Sequence, residues 1–210
     1  MYCVKMPIED ERIEKMITRE SGERSYPIWL LVNPKHPAVR YYIWEPILDE
    51  IQDKVFRKIH ERIDTKHIYV RNVVREIGMV ANTLNWWGAE VDLEIEQFRE
   101  LILEHKPKII ITFGAFPYEF IRRVYDIKPK KAPKYWGTSM LKEVFEDSIE
   151  NFDMNQTNRI PLLRRVVESG KFIEGPNNFC SEDVENYFYY VGSKIAEKII
   201  ENKDGFNNWI

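Results

Sequence analysis

Four short apolar runs constrain this chain more than any other feature: "PIWLLVN" (27–33), "HIYVRNVV" (67–74), "KPKIIITFG" (106–114) and "NRIPLLRR" (158–165). Their apolar residues are continuous rather than alternating, the pattern of strands buried on both faces. The third, β-branched and closed by Gly114, is the strongest strand; the fourth reads either as a short strand or as its exit loop. Helical patterns lie between them. Ile47, Ile51, Val55 and Ile59 recur every four residues, and Pro46 suits the first position of that helix. Leu93, Phe98, Leu101 and Ile102 mark a helix over 93–104; further helices are expected at 115–125, 139–150 and 182–202, the last with Ser181 as N-cap. Strands alternating with helices imply parallel crossovers. The expected fold is therefore α/β, a three-layer α/β/α sandwich around a parallel sheet of about four strands.

The 210 residues, 44% of them hydrophobic, suffice for one core. We divide the chain into a helical extension (1–25, with a surface helix over 8–20), one α/β/α domain (26–204) and a short tail (205–210). In parallel sheets of this kind ligands bind beyond the carboxyl ends of the strands. The cluster "NPKHP" at 33–37, Asn72, Gly114 and the segment "RIPLLRR" all fall at such ends, so they converge on one rim.

The sequence argues against several chemistries. No G-x-G-x-x-G or Walker A lysine motif follows a strand, and no G-x-S-x-G elbow occurs. Two cysteines, Cys3 and Cys180, are too few for a four-cysteine zinc or iron–sulfur site, and the four histidines are scattered. No metal and no cofactor are expected. The start of the chain lacks the apolar region of a signal peptide, and no apolar run approaches a membrane span, so an intracellular, reducing, cytoplasmic setting and a monomer are the default expectations. The formal net charge of −3 speaks against wholesale wrapping of nucleic acid and leaves a local basic face open.

At the rim the sequence resembles the uracil-DNA glycosylase superfamily, whose members have an α/β/α sandwich with a short parallel sheet. "LVNPKH" (31–36) is similar both to that family's "GQDPYH" motif and to the "GINPG" motif of its mismatch-specific and thymine-DNA branch. "YVRNVV" looks like the "LLNTVL" strand, whose asparagine reads the base, and "IIITFGA" like the third strand, which ends in glycine and a small residue. "RIPLLRR" stands where the family has "HPSPLS", the loop that enters the DNA minor groove. The likeness runs over roughly residues 27–200. It implies that Asn33 orients the catalytic water, that Asn72, Pro34, Tyr41, Tyr42 and Gly114 form the base pocket, and that Lys35, His36, Pro161, Leu162, Leu163, Arg164 and Arg165 contact DNA. The sequence departs from the pattern at Leu31, in place of the motif glycine, at Lys35, in place of tyrosine or glycine, and at Ile160-Pro161, in place of the histidine that stabilises the departing base.

The chemistry fits these residue types. Cleaving an N-glycosidic bond through an oxocarbenium-like state needs a held water, a group that reads the base edge, and stabilisation of the leaving base. An asparagine amide offers both a donor and an acceptor to a uracil edge. A flipped base leaves a gap that an apolar side chain such as Leu162 or Leu163 would fill, with Arg164 and Arg165 near phosphates. Each residue also has a plainer reading: Asn33-Pro34 and His36 as turn chemistry, Asn72 as a loop cap, Leu162, Leu163, Tyr41 and Tyr42 as core, and the lysine-rich run at 128–134 as a solvated loop rather than a nucleic-acid contact. Two functions stay open: a glycosylase acting on uracil or another deaminated base in DNA, and a non-catalytic member of the fold that binds nucleic acid, a nucleobase or a protein.

Overall fold

The structure, a computed structural model, describes residues 20–32, 37–73, 89–164 and 187–210, with backbone alone for 37–43 and 89–90. The helix expected over 8–20 (but for Glu20) and most of the irregular stretch at 78–91 lie outside the described residues, as does Ser181.

A five-stranded sheet forms the middle layer, in the order β1 (Glu20–Ser21), β3 (Tyr69–Asn72), β2 (Ile28–Val32), β4 (Ile109–Phe113), β5 (Asn158–Leu162). The last four are mutually parallel, and β1 pairs antiparallel with β3. Every residue of β2, β3 and β4 is buried, the physical counterpart of the apolar runs in β2 and β4, while β3 also buries Arg71 and Asn72.

The helices cover both faces. One face carries α1 (Pro37–Ile59), α4 (Thr138–Glu150) and α5 (Tyr187–Glu201), whose Val55, Phe145 and Val191 are buried with Leu30, Val32, Ile111 and Ile160 of the sheet. The other carries α2 (Ala89–His105) and α3 (Ala115–Val124), whose Phe98 and Phe120 pack on Trp29, Leu31 and Ile110. This is a three-layer α/β/α sandwich. Helices α1 and α5 approach closely because residue 192 is glycine: a Cβ there would lie 2.6 Å from the Cβ of Glu50.

Two expectations are corrected. The helix expected to begin at Pro46 begins at Pro37 and runs through Pro46. Proline removes one backbone donor, and the apolar series from Ile47 holds the helix on the core past that defect. In α2 the buried series is Val91, Ile95, Phe98 and Ile102, a helical stripe that leaves Leu93 56% exposed.

Beyond α5 the chain turns back. Phe206 is buried, Ile63 and Trp209 form a bridge, and Arg62 and Ile210 exchange backbone hydrogen bonds. Residues 206–210 thus pack against the segment that follows α1. Among the described residues no helix is long and apolar enough to cross a membrane.

Candidate functional site

Parallel pairing brings four strand ends to one rim. Val32 pairs with Asn72, Leu31 with Thr112, and Phe113 with Leu162. Two backbone bonds close the edge: the N–H of Val73 donates to the carbonyl of Val32 at 2.8 Å, and that of Gly114 to the carbonyl of Leu162 at 2.7 Å. Asn72 and Gly114, distant in sequence, therefore share one edge. Asn33, Pro34, Lys35, His36 and Arg165 lie outside the described residues. Tyr41 and Tyr42 belong to the N-terminal part of α1, without described side chains.

Asn72 is 2% exposed, and neither its Oδ1 nor its Nδ2 has a hydrogen-bond partner among the described residues. Alternation along β3 puts it on the face that holds Val70, beneath α1. A buried carboxamide left unpaired costs about 1–3 kcal/mol for each lost partner, so such a group calls for water or a ligand with an adjacent donor and acceptor.

Gly114 joins β4 to α3 with φ 96° and ψ 176°, a backbone region that side chains all but forbid. A Cβ at this position would meet the Cβ of Arg164 at 2.6 Å. The glycine thus serves two needs: it makes the sharp turn from strand to helix, and it lets the chain leaving β5 pass directly over the turn.

That exit strand corrects one role. Leu162 is fully buried as the last residue of β5 and packs with Phe113, so it cannot be the side chain that fills a gap in DNA. Pro161 is likewise a buried strand residue, in register with Thr112. Asn158 and Leu162 bond toward β4, so the position alternating with them turns its missing N–H outward, where β5 is the sheet edge. Leu163 and Arg164, next in the chain, are half-buried; the N–H of Leu163 donates to Tyr187 Oη at 2.8 Å, which ties this exit to the start of α5. Ile160, where the resembling family carries a histidine, is sealed in the core.

The sequence reading missed a buried ion pair below the rim. Arg71 and Glu94 meet at 2.5 Å, both nearly inaccessible, and the guanidinium lies 5.0 Å over the Phe98 ring. The signal was present: an arginine inside a doubly buried strand needs a buried partner, and Glu94 lies on the same helical stripe as Val91, Ile95 and Phe98. Beside the pair, the Tyr69 hydroxyl donates to Glu20 Oε2 at 2.6 Å, and Arg24 bonds the other oxygen. Burial raises the affinity of Glu20 for a proton, but the bonds from Tyr69 and Arg24 outweigh it and hold the carboxyl below its ordinary range. Burial and the same bond push the Tyr69 phenol up to about 12. Among the described residues no group of three or more histidine, cysteine or acidic side chains is placed to hold a metal ion.

No family model matches the chain, and no curated protein matches it in sequence.

Proposed function

We propose that the rim is the base pocket of a uracil-DNA glycosylase-like protein, one that takes an extruded uracil or related deaminated base against Asn72 and hydrolyses its N-glycosidic bond with a water oriented by Asn33. The observation that carries this reading is the buried carboxamide of Asn72, unpartnered among the described residues, at the carboxyl edge of the parallel strands. A uracil edge presents a carbonyl beside an N–H, and an amide answers both. The sequence resemblance, with its "NP" motif directly after β2 in the sequence, supports the chemistry. Asparagine orients water without accepting its proton, so the expected turnover is slow.

A second reading has an observation of its own. Ile160 and Pro161, in place of the family's histidine, are buried in β5 and offer nothing to a departing base. This favours a protein that holds the base without cleaving the bond.

Single-turnover incubation with uracil-containing single- and double-stranded oligonucleotides, followed by alkali to reveal abasic sites, separates the readings. Excision that falls at least roughly tenfold in Asn72→Ala and in Asn33→Ala, with circular dichroism unchanged, supports the glycosylase. Binding of uracil-containing strands without excision, and weakened by Asn72→Ala, supports the second. Absence of both excision and Asn72-dependent binding refutes the pocket.

A further inference from the structure

We propose that segment 126–137, "DIKPKKAPKYWG", is a rigid docking platform for single-stranded nucleic acid, separate from the base pocket. Its backbone is anchored to one buried carboxylate. Glu119 of α3 is fully buried; its Oε1 accepts from the Lys131 backbone N–H at 2.8 Å and from Arg123 at 3.1 Å, and its Oε2 from Trp136 Nε1 at 2.8 Å and from Arg122 at 2.9 Å. The two arginines continue outward to the carbonyls of Pro129 and Lys131, each at 3.1 Å. A loop held this way has little ordering left to lose on binding.

What the loop presents is charge and one ring. The side chains of Lys128 and Lys130 are 63% and 49% exposed, Lys134 is exposed and Lys131 half-buried. Four lysines against Asp126 leave the segment at +3, in a chain whose formal net charge is −3. Asp126 is held below its ordinary carboxylate range by its bond to Lys128 and by Lys130, so it stays ionised and subtracts its full charge. Tyr135 is 44% exposed; Lys131 Nζ lies 4.5 Å over its ring, and Trp136 meets it edge-on at 5.0 Å. Positive charge selects a polyanion. A fixed, half-exposed ring beside it selects one whose bases are unpaired and can stack, over a duplex, a lipid headgroup or an acidic peptide. The anchor residues Glu119 to Arg123 lie about 8–14 Å along α3 from Gly114, so the platform stands apart from the rim.

The test is fluorescence anisotropy with a labelled oligothymidylate of about 20 nucleotides, titrated over roughly 50–200 mM salt. Thymine shares uracil's pairing edge, so the titration is repeated in Asn72→Ala; binding that survives there and falls in the lysine variant below belongs to the loop and not to the base pocket. Wild type is expected to bind with a steep salt dependence. The variant Lys128→Gln/Lys130→Gln/Lys131→Gln/Lys134→Gln should bind at least about tenfold more weakly at low salt, its log–log slope reduced by about 2–3, as for three or four lost phosphate contacts. Tyr135→Ala should lose about tenfold and Tyr135→Phe very little. Lys58→Gln/Lys66→Gln/Lys194→Gln, the same chemistry elsewhere on the surface, should match wild type. No binding at low salt, equal binding by the four-lysine variant, or tighter loop-dependent binding to phosphatidylserine vesicles or polyglutamate would overturn the proposal.

Discussion

Replacing Gly114 with alanine tests whether the rim is built as described. Two costs follow from the structure. The first is conformational: φ 96° with ψ 176° is a region open to glycine, and holding alanine there costs about 1–3 kcal/mol. The second is steric. The new Cβ would stand 2.6 Å from the Arg164 Cβ, against about 3.5–4.0 Å for ordinary carbon contact, and relieving such an overlap costs about 1–3 kcal/mol. Partial relaxation makes the sum about 3 kcal/mol, a fall in Tm of about 6–12 °C for a chain of this length. Urea denaturation and calorimetry measure it. Arg164→Gly removes the clashing Cβ, so in the double variant the steric part should return while the conformational part stays, a coupling of about 1–2 kcal/mol in a double-mutant cycle. If Gly114→Ala unfolds within about 0.5 kcal/mol of wild type, or if Arg164→Gly rescues nothing, the close passage of residue 164 over the β4–α3 turn is wrong.

Other expectations follow from the polar groups under the sheet. Arg71→Met removes the guanidinium from the buried Glu94 carboxylate and should cost about 3–5 kcal/mol in urea denaturation, whereas Arg71→Met with Glu94→Leu should recover most of that loss. Glu20, with its proton affinity depressed in the folded state, stabilises the β1–β3 pairing above the unfolded carboxyl pKa of about 4.3 and loses that contribution as the pH falls through the lower folded value. Hydrogen exchange at Val70, whose N–H turns toward β1 because Val73 and so Arg71 bond toward β2, should, corrected for intrinsic rate, accelerate as the pH falls below about 4.3 in wild type and show no such step in Glu20→Gln.

The sheet was legible because burial on two faces leaves an unmistakable mark: "WLLV", "IYV" and "IIITF" contain almost nothing that water would stabilise. Even the ambiguous "RIPLL" could be narrowed to a strand or its exit, since proline is tolerated where no neighbour needs its N–H. β1 was illegible for the opposite reason. Two residues, Glu20 and Ser21, carry no apolar pattern, and their pairing rests on backbone bonds and on the Tyr69–Glu20 contact across the sheet. The inward face of α2 was misread at Leu93 because Glu94, taken alone, reads as a solvent-facing residue; Arg71 is what draws it inside. At the rim, sequence order was enough to bring Asn72 and Gly114 together, since parallel strands end on one edge. It could not tell Leu162 from Leu163, because a strand end and the first residue beyond it differ by one step in register, and that step decides burial.

Pro161 gives the sheet an end. A strand with a free edge is a template on which another chain can pair, and the usual outcome of an unprotected one is aggregation. Among the described residues the outward side of β5 lacks a donor at Pro161, next to the strand's last residue, and on the far side β1 is two residues long. Neither border offers a foreign strand a continuous ladder. Edge-to-edge pairing of two such sheets is thus disfavoured by backbone chemistry alone, which leaves the surface charge free to be used for something else.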